Sequence, residues 1–352
     1  MHMLKPSASR LSMKTRSLIL LTIIYTFCVH VHAQESTPIA LNVMPPFLYA
    51  QEKLNLNQFQ QLKQQLQRPI VALVLGSGGA RGYAHIGVLQ ALEQQSLKPD
   101  LIVGTSAGSV VGALYASGKT AAEITQIALN MKVNDVREIT LTRKGFLDGE
   151  KVATFVNKNV ENRPLQEMKI PFFVVATDLK TGQKKVFNYG NTGQAIQAST
   201  AIPSMFIPAK IAGHEYVDGG LVSPVPVDVA RQLGADIVIA VDILQPPQYT
   251  ETTNMWGLFN QNINIMQQRL SQVELKSADV VIRPDIREKA HIFDVKERET
   301  ALQAGFVATQ MQMPAIQQAI TLKAHQFIPA APHLVLEHIP SVFINHSDSS
   351  QQ

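Results

Sequence analysis

The chain has 352 residues, enough for one large α/β domain with a buried core and some additional segments. Its formal charge of +4 resides in the leader: Lys5, Arg10, Lys14 and Arg16 lie there with no acid among them, which leaves 27 of the 31 basic residues against 27 acids. A near-neutral body with no basic, aromatic-interleaved stretch argues against polyanion binding and predicts no nucleic-acid partner.

The first 33 residues read as a secretory signal. A basic start precedes the apolar run 18–29, and Val31-His32-Ala33 offers small residues for cleavage before Gln34. That run is short for a membrane-spanning helix, so an exported protein is expected, periplasmic, outer-membrane-associated or secreted. Cys28 is the only cysteine and falls inside this leader, so the mature chain is expected to hold no disulfide and no thiol chemistry. Bulky Phe27 beside Cys28 makes a poor lipoprotein signal. Residues 34–69 are Gln-rich, with Pro38, Pro45 and Pro46, and read as a linker with a short helix over 57–67.

A strand is predicted over 69–75, apolar on both faces. It runs into Gly76-Ser77-Gly78-Gly79-Ala80-Arg81-Gly82 and then a helix over 83–95. Strand, glycine loop and helix make an anion cradle of bare backbone N–H groups. A dinucleotide site would need an acid at the end of the second strand to hold the ribose, and none stands there. The loop reads better as an oxyanion hole built from the N–H groups of Gly78, Gly79 and Ala80. Arg81 is read as holding the loop through carbonyls, and His85 as a packing residue.

The second strand, 100–105, ends in Gly104-Thr105-Ser106-Ala107-Gly108 and passes straight into an apolar helix. A serine on such a strand-to-helix turn is held exposed, with glycines on either side relieving the crowding. Ser106 is the candidate nucleophile.

Further on, a helix is expected over 121–131, an irregular stretch over 133–149 and a helix reaching Val160. A core strand over 170–178 follows, with a hairpin into 184–187. Asp178 reads as a turn residue. The segment 195–206 leads to Glu215-Tyr216-Val217-Asp218-Gly219-Gly220, where an acid precedes two glycines suited to close backbone approach. A helix over 224–233 and a strand over 235–242 come next. In the last third, a helix with Ile263, Met266 and Leu270 on one face reads as core packing, with a lid or membrane-contacting edge as the alternative. A strand over 280–284 and a helix over 296–312 close the domain, leaving 329–352 as a tail. The expected organisation is therefore a leader over 1–33, a linker over 34–69, a hydrolase domain over 70–328 and the tail.

With its three motifs in order, the sequence resembles the patatin-like phospholipase family, in particular its bacterial branch. Gly78-Gly79-Ala80-Arg81-Gly82 is similar to the family's oxyanion loop, Gly104-Thr105-Ser106-Ala107-Gly108 to its nucleophile motif, and Asp218-Gly219-Gly220 to the motif carrying the base. Ser77 stands where many members have glycine. The resemblance implies a three-layer α/β/α sandwich with a mostly parallel sheet. It also implies a Ser106–Asp218 dyad working through an acyl-enzyme, no cofactor and no metal, and a phospholipid or lysophospholipid substrate drawn from a membrane surface. Two other readings stand beside it: an α/β-hydrolase triad of Ser106, Asp218 and His291, and a non-catalytic lipid-binding or outer-membrane-associated protein.

Overall fold

The computed structural model describes residue 66 and residues 68–327, apart from 137, 141, 143–144, 245, 247–251 and 287–296. The expected leader, nearly all of the linker, His291 and the tail lie outside the described residues.

Runs of aliphatic residues with no polar alternation fold as strands buried on both faces. The first half of the chain gives β1 (Val71–Leu75), α1 (Tyr83–Gln94), β2 (Leu101–Thr105), α2 (Ala107–Ala116), α3 (Ala121–Asn130), the two-residue strands β3 (Glu138–Ile139) and β4 (Leu147–Asp148), and α4 (Glu150–Asn159). The middle gives β5 (Phe172–Asp178), β6 (Lys184–Phe187), α5 (Thr192–Thr200), β7 (Ala209–Ile211), β8 (His214–Asp218) and α6 (Val227–Gln232). β9 (Ile237–Val241), α7 (Met255–Glu274), β10 (Val280–Ile282) and α8 (Arg298–Ala324) complete the set.

The main sheet runs β10-β9-β1-β2-β5, all parallel. β6 and β8 pair antiparallel with β5, and β7 antiparallel with β8. Alternate strand residues enter two separate cores, as a pleated strand requires. Leu73, Ile102, Val174 and Ile239 pack with Ile86 and Leu89 of α1, Leu114 of α2 and Leu302 of α8. Val74, Val103, Val175 and Val238 pack on the other side with Val227, Val229 and Ala230 of α6. This is the expected three-layer α/β/α sandwich with a mostly parallel sheet. Such sheets place functional groups beyond the carboxyl ends of the strands, where β1 and β2 deliver the glycine loop and Ser106.

Three elements differ from the sequence expectation. α6 is only six residues long, because Pro224 and Pro226 keep its expected first turn out of helical geometry. α8 runs on past the expected end at 312 and straight through Pro314. Met313 and Ile316, buried on both sides of that proline, hold the helix together against the lost backbone bond. α7 does not bury the face that carries Met266, which is 57% exposed. Its buried side is polar, with Gln267 and Ser271 turned inward.

Candidate active site

β2 ends at Thr105 and α2 starts at Ala107, so a single residue must turn the chain. Ser106 does so at φ 52° and ψ −120°, a conformation that non-glycine residues avoid at a cost of about 1–3 kcal/mol. The tight turn brings backbone onto backbone. A Cβ on Gly104 would stand 2.7 Å from the Ser109 Cα, and one on Gly108 would strike the Leu75 carbonyl. Both positions therefore require glycine. Ser106 is buried except for 4% of its surface.

Two further serines fix the turn. Ser106 N–H donates to Ser199 Oγ at 2.8 Å, and the Ser199 hydroxyl donates in turn to the Val175 carbonyl at 2.6 Å. The Ser109 hydroxyl donates to the Ser106 carbonyl at 2.6 Å.

Asp218 arrives at the same point from the opposite direction. Val174 and Val175 of β5 are flanked by β2 and β6, whereas Ala176 and Thr177 are flanked by β6 and β8. β8 thus takes over from β2 along one edge of β5, and its last residue, Asp218, meets the end of β2. The Ser106 hydroxyl donates to Asp218 Oδ2 at 2.6 Å. Gly220 N–H donates to Oδ1 at 2.7 Å, and the Thr177 hydroxyl donates to the Asp218 carbonyl at 2.8 Å. Gly219 passes so close to the Val175 carbonyl that no side chain fits there. Burial pushes the Asp218 carboxyl up to about 6, against the pull of the Ser106 and Gly220 hydrogen bonds.

The glycine loop is held from below. Gly76 N–H donates to the Val241 carbonyl at 3.0 Å and Ser77 N–H to the Pro224 carbonyl at 2.8 Å. The Arg81 Nε–H donates to the Gly78 carbonyl at 3.0 Å. Burial draws the Arg81 guanidinium down to about 10, with Asp242 acting the other way. Gly79–Gly82 forms a short 3-10 turn, whose opening N–H groups have no acceptor within the turn. Gly82 rests on the Cβ of Ala107, 2.9 Å from where its own would be. Gly79 and Ala80 border the same pocket as Ser106, whereas Gly78 packs against Ile243 and does not reach it.

That pocket is an apolar cavity of about 200 Å³ running from Ser106 past Ile86, Val110, Leu114, Ile127, Phe155 and Phe206. Helices α1 to α4 supply most of its wall, and among the described residues no charged side chain borders it.

Two of the described histidines, His85 and His214, are engaged away from Ser106 and Asp218. His85 is wholly buried and its Nε2 lies 2.8 Å from the Gly76 carbonyl. Nε2 must carry the hydrogen, and Nδ1 has no partner among the described residues. Burial lowers this imidazole to about 4, partly offset by the Gly76 carbonyl, so it is neutral at ordinary pH. His214 Nδ1 lies 3.5 Å from Asp178 Oδ2 at the surface. Among the described residues, no group of three or more His, Cys, Asp or Glu side chains is placed to hold a metal ion.

The sequence reading missed Ser199, Ser109 and Thr177. Each is a small hydroxyl residue in an otherwise ordinary helix or strand, and only its partner in space gives it a task.

Residues 73–231 match the family model described as patatin-like phospholipase. An uncharacterized NTE family protein of Mycobacterium tuberculosis is 38% identical over 178 residues, 50% of this chain and 49% of that protein. Patatin-like phospholipase domain-containing protein 6 of Homo sapiens is 31% identical over 221 residues, 59% of this chain and 16% of that protein. The chain thus spans about half or less of the length of these relatives. Among solved structures, VipD from Legionella pneumophila aligns over 72% of this chain and 67% of its own, with 15% identity and a TM-score of 0.41. Residues 73–231 of the chain thus carry a patatin-like phospholipase domain.

Proposed function

We propose that the protein is an exported lipid acyl hydrolase that cleaves fatty-acyl esters of phospholipids or lysophospholipids with a Ser106–Asp218 dyad. The observation that carries this reading is the 2.6 Å bond from the Ser106 hydroxyl to Asp218 Oδ2, made by a serine on a strained turn that lines an apolar cavity.

Ionised Asp218 accepts the Ser106 proton as Oγ attacks the ester carbonyl. The N–H groups of the glycine loop, with Gly79 and Ala80 bordering the pocket, stabilise the oxyanion. Collapse breaks the bond to the alcohol, whose oxygen takes the proton from Asp218, and leaves the acyl group on Ser106. Water then occupies the vacated place and gives its proton to Asp218 while its oxygen attacks the acyl carbon. Ser106 departs with that proton, so one ester and one water become one acid and one alcohol. The apolar cavity takes the acyl chain, and a membrane surface is the source of substrate. The direct bond favours the dyad over a triad.

The test is to treat mixed phospholipid vesicles with the protein and identify the products by mass spectrometry. Free fatty acid is expected, together with labelling of Ser106 by a fluorophosphonate. An unlabelled serine and intact lipids would overturn the reading. Export is checked by N-terminal sequencing, with Gln34 expected as the first residue. An intact leader on cytoplasmic protein would refute it.

A further inference from the structure

Two polar side chains converge on the loop behind Asp218. Gln267 projects from α7 with 8% of its surface exposed, and Ser77 of the glycine loop is 4% exposed. Both meet at Gly220, whose N–H holds Asp218 Oδ1. A Cβ on Gly220 would press on Gln267 Nε2, and would stand 2.8 Å from Ser77 Oγ and 3.0 Å from Asp218 Oδ1. Neither the Gln267 amide nor the Ser77 hydroxyl has a hydrogen bond to a described residue, and neither is among the wholly buried polar atoms left without a partner, so both stay open to a further polar group. Their residual exposure is close to that of Ser106 and Asp218 themselves, 4% and 3%. Neither borders the apolar cavity.

The chemistry says what belongs there. The acyl chain lies in the apolar cavity on one side of Ser106. The alcohol oxygen of the ester must come within reach of Asp218, which returns its proton. The alcohol half of the substrate therefore extends on the Asp218 side, toward Gly220. A primary amide and a hydroxyl both donate and accept, and neither carries charge. Such a pair suits the free hydroxyls of a polyol.

We propose that Gln267 and Ser77 form a polar subsite for a glycerol-type leaving alcohol. This rests on the hydrolase reading and adds a preference for esters whose alcohol half carries a further hydroxyl. The subsite draws on residues far apart in the chain. Ser77 comes from the first loop of the domain, and α7 lies beyond the stretch that matches the family model.

The experiment compares a monoacylglycerol with the ethyl ester of the same fatty acid. In Gln267→Met, which keeps the length but loses the amide, the ratio of kcat/KM for the glycerol ester to that for the ethyl ester is expected to fall at least tenfold. Ser77→Ala, a smaller change that guards against a folding failure at Gln267, is expected to move the ratio the same way. A ratio unchanged in both variants, or both substrates declining together, overturns the subsite while leaving the hydrolase intact. If the wild type cleaves neither ester and Ser106 takes no fluorophosphonate, the hydrolase reading falls and the subsite with it.

Discussion

Thr105 and Asp218 stand one register position apart on the same edge of β5, Thr105 beside Val175 and Asp218 beside Ala176, and they approach from opposite directions. The parallel strand and the antiparallel strand meet end to end. The residue that follows Thr105 therefore has Asp218 within hydrogen-bond reach, and only Gly219 can pass through the gap beside Val175. The geometry of the two side chains is inherited from the sheet. This is why a bond spanning 112 residues of sequence can be as short as 2.6 Å.

The strained turn at Ser106 can be weighed directly. Ser106→Ala and Ser106→Gly both lose the hydroxyl and should both be inactive, yet only glycine tolerates φ 52°. Relief of backbone strain exceeds the extra chain entropy of glycine, so the Gly variant should be more stable than the Ala variant by about 1 kcal/mol. Denaturant melts of the two proteins decide it. Equal stabilities would mean that the turn is not strained, and residual hydrolysis near wild type in folded Ser106→Ala would remove it as nucleophile.

Asp218 works as a base only when ionised, and its carboxyl is raised to about 6 by burial. Activity should be full above that value and drop as pH falls through it, by about tenfold per pH unit for a single ionisation. His85, neutral down to about 4, does not supply this limb, and His214→Ala should leave it in place. Asp218→Asn should lose several orders of magnitude in rate, much as Ser106→Ala does, since members of one catalytic unit are not additive. A limb abolished by replacing a histidine would transfer the role of base to that residue.

Ser199 bridges the nucleophile and β5, and its removal leaves the Ser106 N–H without its acceptor. Ser199→Ala should destabilise the fold by about 1–3 kcal/mol. It should also lower kcat by up to about a hundredfold through a displaced nucleophile. Ser199→Thr, which keeps the hydroxyl, should recover part of both. Wild-type kcat in Ser199→Ala would show that the turn holds its shape without the bridge.

The motifs themselves were legible in the sequence because each is local. Glycine at 104, 108 and 219 is dictated by neighbouring backbone, and the uninterrupted aliphatic runs 71–75, 101–105 and 237–241 announce strands covered on both sides. What stayed hidden depends on distant partners. Ser199 reads as one more small residue in a helix until Val175 and Ser106 appear on either side of it. Gln267 lies on the side of α7 that hydropathy assigns to solvent, because the helix rests on a polar loop rather than an oily core. Pro314 reads as a stop because the burial of Met313 and Ile316 is a tertiary fact.

The wall of the apolar cavity sets which acyl chains fit. Val110 stands one helical turn beyond Ser106 and lines the same cavity. Val110→Phe should lower kcat/KM for hexadecanoyl esters relative to butanoyl esters by roughly tenfold or more, the scale of discrimination that a filled apolar pocket provides. Parallel losses for both esters would show that the chain lies elsewhere.

The stretch that matches the family, 73–231, is not a body that can be cut free. β1 lies between β2 and β9, and β9 starts only at Ile237. A chain severed at 231 would bare the full length of β1 on that side, an open strand ready to pair with its neighbours in solution. It would also lose the Val241 carbonyl that holds Gly76. Farther on, the Arg298 guanidinium binds the carbonyls of Ala128, Leu129 and Met131 and so ties down the end of α3. The inherited unit and the folding unit have different borders here: a shortened version meant for the bench must extend through α8, or it will come out of the cell as aggregate.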